Sequence, residues 1–192
     1  MSGEIRGLCL ASGSPRRREL LAALGYVFEV RPSGIDETRC PGDDPVSHAR
    51  RLAVDKARAS EIDGGWLVLA ADTVVHAGDV VFDKPRSRDE ARTHLETLAG
   101  RWHSVTTGVC ARVGGGHEAF TVTTRVRLRE LLDREIERYV ATGDADDKAG
   151  AYGIQSGGGV LVAEIEGSWT NVVGLPLERT IAALARAGLE RP

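Results

Sequence analysis

Short apolar runs alternate with amphipathic segments along this chain, and glycine, proline or a small hydroxyl residue stands at nearly every change of period. Leu8 to Ala11 is too short an apolar run for a helix and ends in Ser12-Gly13-Ser14-Pro15. That order predicts a strand, a tight turn and a helix start, since serine caps and proline suits the first helical position. Leu20, Leu21 and Leu24 recur at helical spacing before Gly25 stops the helix. Tyr26 to Val30 reads as a second strand, followed by a loop holding Ile35, Asp36 and Glu37. Asp44-Pro45 opens a longer helix with Ala49, Leu52, Ala53, Lys56 and Ala57 along one side, expected to end near Gly64. Trp66 to Val75 is a strongly apolar strand interrupted by Asp72 and Thr73, and Asp79 to Phe82 a short return. Ser87 to Leu98 is a capped amphipathic helix ending at Gly100.

Residues 101 to 113 and 118 to 128 alternate as two antiparallel strands across Gly114-Gly115-Gly116, a turn flexible enough to leave their register open. A helix from about Leu131 to Thr142, a glycine-rich stretch from 149 to 159, a strand near Val160 to Ile165 and a last helix after Pro176 complete the pattern. The expectation is a mixed α/β fold in one domain, residues 1 to 192, with two lobes.

Length and composition narrow the class. With 192 residues and 42% hydrophobic content the chain can bury a substantial core. A net charge of -3 argues against binding a nucleic acid polymer, which calls for a basic surface. Cys9, Cys40 and Cys110 are odd in number and scattered, without zinc-ligand spacing, so a reduced protein without structural zinc is expected. No run approaches the length of a membrane span and the start lacks a leader pattern. A cytoplasmic protein without a membrane partner is the expectation.

Of the 25 basic residues only Lys56, Lys84 and Lys148 are lysine, and each follows an aspartate. In a chain that otherwise uses arginine, such positions suggest a need for a compact ammonium. Arg16, Arg17 and Arg18 sit in the first turn of a helix, where the backbone already presents positive charge and unsatisfied N–H groups. Either they project into solvent or an anion relieves them. A phosphate there meets helix N–H donors, serine hydroxyls and guanidinium forks. Asp72, inside an apolar strand, needs a cation, a metal or good donors facing it, unless it only caps the next turn. Asp36 and Glu37 add hard oxygen ligands of the kind Mg²⁺ or Mn²⁺ prefers.

Lys56 lies on an apolar stripe, from which a lysine either snorkels outward or turns its ammonium into a cleft. Lys84 precedes Pro85, which stiffens its turn. Arg16, Arg17, Lys56 and Lys84 together match the charge of a nucleoside triphosphate. In the glycine-rich stretch, Gln155 carries one amide able both to donate and to accept, as reading a pyrimidine edge requires. A mobile hairpin is the plainer reading of the same glycines. His103 reads as a strand residue with a satisfied ring, and no serine or cysteine nucleophile has a histidine and an acid at suggestive spacing.

LASGSPRR at 10 to 17, AADT at 70 to 73, DKP at 83 to 85, AGAYGIQ at 149 to 155 and VVGLPL at 172 to 177 resemble the motifs of the Maf (septum-formation inhibitor-like) nucleotide pyrophosphatases, in order and nearly end to end. The resemblance implies a fold of two lobes around a long curved sheet, similar to inosine-triphosphate pyrophosphatases, with substrate in the cleft between them. It implies metal-dependent hydrolysis of a nucleoside triphosphate to monophosphate and pyrophosphate, and a homodimer. Asp72 takes the place of the catalytic acid, as base or metal holder. Arg16, Thr73 and Gln155 take substrate-discriminating positions; Ser12, Arg17, Lys56 and Lys84 take phosphate-contacting ones; Glu37 stands near the metal. The stretch Gly100 to Gly108 with His103, and AGAYGIQ, are similar to the branch acting on dTTP and UTP. A branch acting on 7-methyl-GTP, or a nucleotide-binding regulator of septum formation with incidental catalysis, is the alternative. Asp83 departs from the family's usual glycine, and Ser156 to Gly159 is richer in glycine than the pattern.

Overall fold

A computed structural model of the chain describes residues 5–40, 42–62 and 64–192. Among them are β1 (Gly7–Leu10), α1 (Pro15–Ala23), β2 (Phe28–Val30), α2 (Pro45–Ala59), β3 (Trp66–Ala77), β4 (Val80–Phe82) and α3 (Arg88–Leu98). β5 (Trp102–Val113), β6 (Gly116–Leu128), α4 (Asp133–Ala141), β7 (Val162–Glu166), α5 (Trp169–Val173) and α6 (Leu177–Arg186) follow. Seven strands form one mixed sheet in the order β2-β1-β3-β5-β6-β7, with β4 added on β3. β1 runs parallel to both β2 and β3, whereas β4 and β7 pair antiparallel with β3 and β6. The mixed α/β class expected from the pattern is the one observed.

The chain divides into two compact units, the first comprising Met1–Asp72, Thr107–Val122 and Gly174–Pro192, the second Thr73–Thr106 and Thr123–Val173. In the first unit the period-two alternation of strands sorts side chains onto two faces. Leu8, Leu10, Leu67, Leu69, Ala71, Val109 and Ala111 join Leu21 of α1 and Ala183 and Leu184 of α6 in one core cluster. Cys9, Val68, Ala70 and Cys110 turn the other way and pack with Ala53 and Ala57 of α2. Alanines on the helix face permit a close approach: a Cβ added at Gly108 would stand 2.2 Å from the carbonyl oxygen of Ala49. The bare Gly108 therefore sets the depth at which α2 lies on β5.

The second unit has one core, in which Leu95 and Leu98 of α3 and Ile136 and Val140 of α4 meet Val75, Phe82, Val105, Val126 and Leu128 from the strands. α3 starts at a Ser87 cap that accepts from the Glu90 amide.

Several boundaries differ from the sequence expectation. α2 stops at Ala59, well before Gly64, because Ser60 leaves helical geometry. Val160 and Leu161 belong to a 3₁₀ turn (Gly157–Leu161), so β7 begins only at Val162. A second such turn spans Ala149–Ala151, where Gly150 takes φ +73 with a Val75 methyl 2.8 Å from where its Cβ would be. The stretch from 149 to 159 is thus two tight turns, not a hairpin. α5, only five residues long, gave no periodic signal and was not expected.

Candidate active site

Parity along β3 decides what Asp72 meets. Val68 and Ala70 face α2, so Asp72 falls on that same face. Lys56, three residues after Ala53 and one before Ala57, is carried on α2 to the same place. Its ammonium donates to Asp72 Oδ1 at 2.7 Å and pairs with Glu37 Oε1 at 2.8 Å. The side chains of Lys56 and Asp72 are 8% and 10% exposed, while that of Glu37 is 54% exposed. A buried ion pair is thereby linked to a carboxylate open to solvent. The apolar stripe did not send Lys56 outward; it turned the ammonium onto the one carboxylate of β3.

The loop bearing Glu37 is held to α2. Asp36 spends Oδ1 on the Thr38 amide (2.9 Å) and hydroxyl (2.6 Å), forming a local turn, so Glu37 and not Asp36 reaches Lys56. Arg51 donates to the Thr38 carbonyl at 3.3 Å and pairs with Asp43 at 3.1 Å, and Arg39 donates to the Asp43 carbonyl at 2.8 Å. Asp43 and Arg51 therefore position Glu37, a role that nothing in their local sequence announces.

At the turn before α1, Ser14 caps the helix and accepts from the Arg17 amide at 3.5 Å. The Ser12 hydroxyl oxygen accepts from the Ser14 amide (3.3 Å) and from Arg17 Nη1 (3.0 Å). Arg17 is buried and gives Nε to the Gly174 carbonyl at 2.8 Å, tying this turn to the VVGLPL segment. Burial lowers its pKa, Asp72 and Glu37 oppose that, and Arg16 reinforces it. Arg16 is half-buried and Arg18 exposed. The first turn of α1 itself contains no acidic residue.

Ser12, Arg16, Arg17, Glu37, Lys56 and Asp72 thus all belong to the first unit. The other three expected site residues belong to the second. Thr73 follows Asp72 in β3 and, by parity, points from the opposite face. Lys84 is exposed just past β4, and Gln155 is exposed between the two 3₁₀ turns. His103 is not at the surface: it is buried, with Nε2 2.7 Å from the Tyr152 hydroxyl, and burial pushes its pKa down to about 4. Both members of this pair are interior residues of the second unit; His103 lies in β5 as expected, but its ring is not fully satisfied, since Nδ1 is buried without a hydrogen-bond partner.

The family model described as Maf-like protein matches residues 7–187. A protein of Anaeromyxobacter dehalogenans named dTTP/UTP pyrophosphatase is 50% identical over 189 residues, covering 96% of each chain. Proteins of the same name from Myxococcus xanthus and Chromobacterium violaceum are 51% and 45% identical, covering 96% and 100% of this chain and 94% and 100% of their own. Among solved structures, the Ham1 protein of Staphylococcus aureus shares 13% identity at a TM-score of 0.44, over 63% of this chain and 71% of its own. By the family match along nearly its whole length and by relatives about half identical to it, the chain belongs to the Maf-like protein family.

Proposed function

We propose that this protein hydrolyses dTTP and UTP to the monophosphate and pyrophosphate with a divalent cation, as one Maf-like domain containing both compact units. The reading is carried by Lys56 holding Asp72 and Glu37 together beside the Ser12 to Arg17 turn, and is supported by the names of relatives about half identical to it.

Asp72 and Glu37 fit a hard cation. No group of three or more His, Cys, Asp and Glu placed to hold a metal ion is found among the described residues, and these two carboxylates are the ones we assign to the cation. Mg²⁺ and Mn²⁺ commonly take one or two carboxylates and fill the remaining positions with water and substrate phosphates. When bound, the cation neutralises polyphosphate charge and polarises the bridging oxygen.

The chain's own residues do the rest. Lys56 fixes Asp72 Oδ1 and so orients the carboxylate, which accepts a proton from the attacking water. A new bond forms between that oxygen and the α-phosphorus, the bond from the α-phosphorus to its bridging oxygen breaks, and pyrophosphate departs. Ser12 and the amino terminus of α1 receive phosphate oxygens, and Arg16, Arg17, Lys56 and Lys84 neutralise charge that develops on them. Thr73, Arg16 and Gln155 discriminate among bases. The substrate is the free nucleotide and not a nucleic acid polymer, in keeping with the net acidic chain. A cytoplasmic homodimer is the form we propose on the family resemblance.

A panel of dTTP, UTP, CTP, GTP and 7-methyl-GTP with Mg²⁺ or Mn²⁺, read by pyrophosphate release, tests the assignment. We expect dTTP and UTP to be preferred by about tenfold or more. Preference for 7-methyl-GTP would move the protein to the other branch. No pyrophosphate from any triphosphate would favour the regulator.

A further inference from the structure

Gln155 stands on a segment with glycine at 153, 157, 158 and 159, a composition that ordinarily leaves a side chain on a wandering tip. One carboxylate prevents this. Asp144 Oδ2 accepts from the Tyr139 hydroxyl at 2.8 Å, the Ser156 hydroxyl at 2.7 Å and the Gly158 amide at 3.2 Å. The Tyr139 hydroxyl oxygen in turn accepts from the Gly153 amide at 3.0 Å. Both sides of Gln155 are therefore tied to the same group, two residues before it through Tyr139 and one and three residues after it directly. The Ser156 amide closes the turn onto the Gly153 carbonyl at 3.2 Å. Lys148 braces Asp144 from behind, its ammonium 3.1 Å from Oδ1 and 2.7 Å from the Asp144 carbonyl oxygen.

The glycines serve this closure. A Cβ at position 153 would lie 2.3 Å from the Ser156 hydroxyl oxygen, and one at 158 would lie 2.6 Å from the Gly153 nitrogen. They permit backbone to pack on backbone where any larger residue would force the ring open. Burial raises the Asp144 pKa, but hydrogen bonds from Ser156, Tyr139 and Lys148 outweigh it and hold the group below its ordinary value. Burial and the Asp144 partner push Tyr139 upward, which keeps its proton on the bond.

We propose that Asp144 is a positioning residue for base selectivity: by gathering Tyr139, Ser156 and Gly158 it fixes the turn that presents the Gln155 amide. The inference rests on the reading of Gln155 as a base-discriminating residue. Asp144 itself touches no substrate, and its effect passes through the backbone from Gly153 to Gly158.

The test compares wild type, Asp144→Ala, Gln155→Ala and the double variant on dTTP, UTP, CTP and GTP. The readouts are kcat and KM separately, with thermal midpoints. In Asp144→Ala we expect KM for dTTP and UTP to rise about tenfold, with kcat changed less than about threefold. Preference over CTP and GTP should fall to the level of Gln155→Ala, and the double variant should be no worse than Gln155→Ala alone. If Asp144→Ala does not fold, Ser156→Ala carries the same comparison. Wild-type selectivity in Asp144→Ala beside lost selectivity in Gln155→Ala would overturn the positioning role and leave the reading of Gln155 standing. Additive losses in the double variant would overturn it too. Unchanged selectivity in both single variants would remove the role of Gln155, and this proposal with it.

Discussion

Lys56 and Lys148 each follow an aspartate and each grip two carboxylates, yet they report on different things. Lys148 pairs with Asp144 and Asp147, its own neighbours in one turn of the second unit. Lys56 ignores Asp55, which pairs with Arg51 at 3.4 Å, and joins Glu37 of a loop to Asp72 of a strand. The Lys148 pairs form as soon as their turn forms. The Lys56 pairs exist only when the loop before α2 has folded back onto it and α2 is seated on β3, because both partners are remote in sequence. The comparison teaches that the same dipeptide supplies a local brace where its partners are neighbours and a long-range link where the fold must assemble them.

Removing each lysine should separate these roles. Lys56→Met keeps the apolar stem and leaves two carboxylates without their shared cation. We expect a loss of about 3 kcal/mol in urea unfolding, as for a broken buried ion pair. Pyrophosphate release should fall about 100-fold. Equal stability and activity in that variant would make Lys56 no different from a surface lysine.

The interior of the second unit offers a pH test of intermediate size. His103 takes up a proton at its ordinary value of 6.5 in the unfolded chain but only at about 4 in the folded one. Between these values the unfolded state binds more protons, so stability falls as pH drops, by at most about 1.4 kcal/mol per unit. Urea midpoints between about pH 7 and pH 5 should show this slope, and His103→Gln should flatten it. A slope unchanged in the variant would place the titrating group elsewhere.

The smallest effect should come from Lys148→Met, about 1 kcal/mol in unfolding, because its partners are local and partly solvated. Its kcat should stay within about threefold of wild type. A loss as large as that of Lys56→Met would erase the distinction between the two lysines.

Much of this was legible in the sequence, for reasons that differ by element. Asp72 stood out because a carboxylate in an apolar strand requires a partner, and Lys56 because it sat on the buried stripe of a helix. That the two meet was not legible, since it depends on which face of β3 receives α2. Glu37 was legible only together with Asp36 and Asp72, as hard oxygen ligands, since an exposed loop acid has no local signature that separates it from its neighbour Asp36. Asp144 was hidden in the run Asp144-Ala145-Asp146-Asp147, which reads as solvated charge until the tertiary structure shows three donors converging on it. The glycine-rich stretch from 149 to 159 looked mobile because glycine's freedom is visible in sequence and its close packing is not. α5 escaped notice because five residues are too few to display a period.

The central claim is that the Asp72 carboxylate held by Lys56 performs the chemistry, and Asp72→Asn tests it most directly, since the amide keeps the shape and loses the base. With dTTP and Mg²⁺ the variant should still fold, with a thermal midpoint lowered by loss of the buried Lys56 pair, and release pyrophosphate about 1,000-fold more slowly. A folded Asp72→Asn protein that hydrolyses dTTP at the wild-type rate would contradict the account.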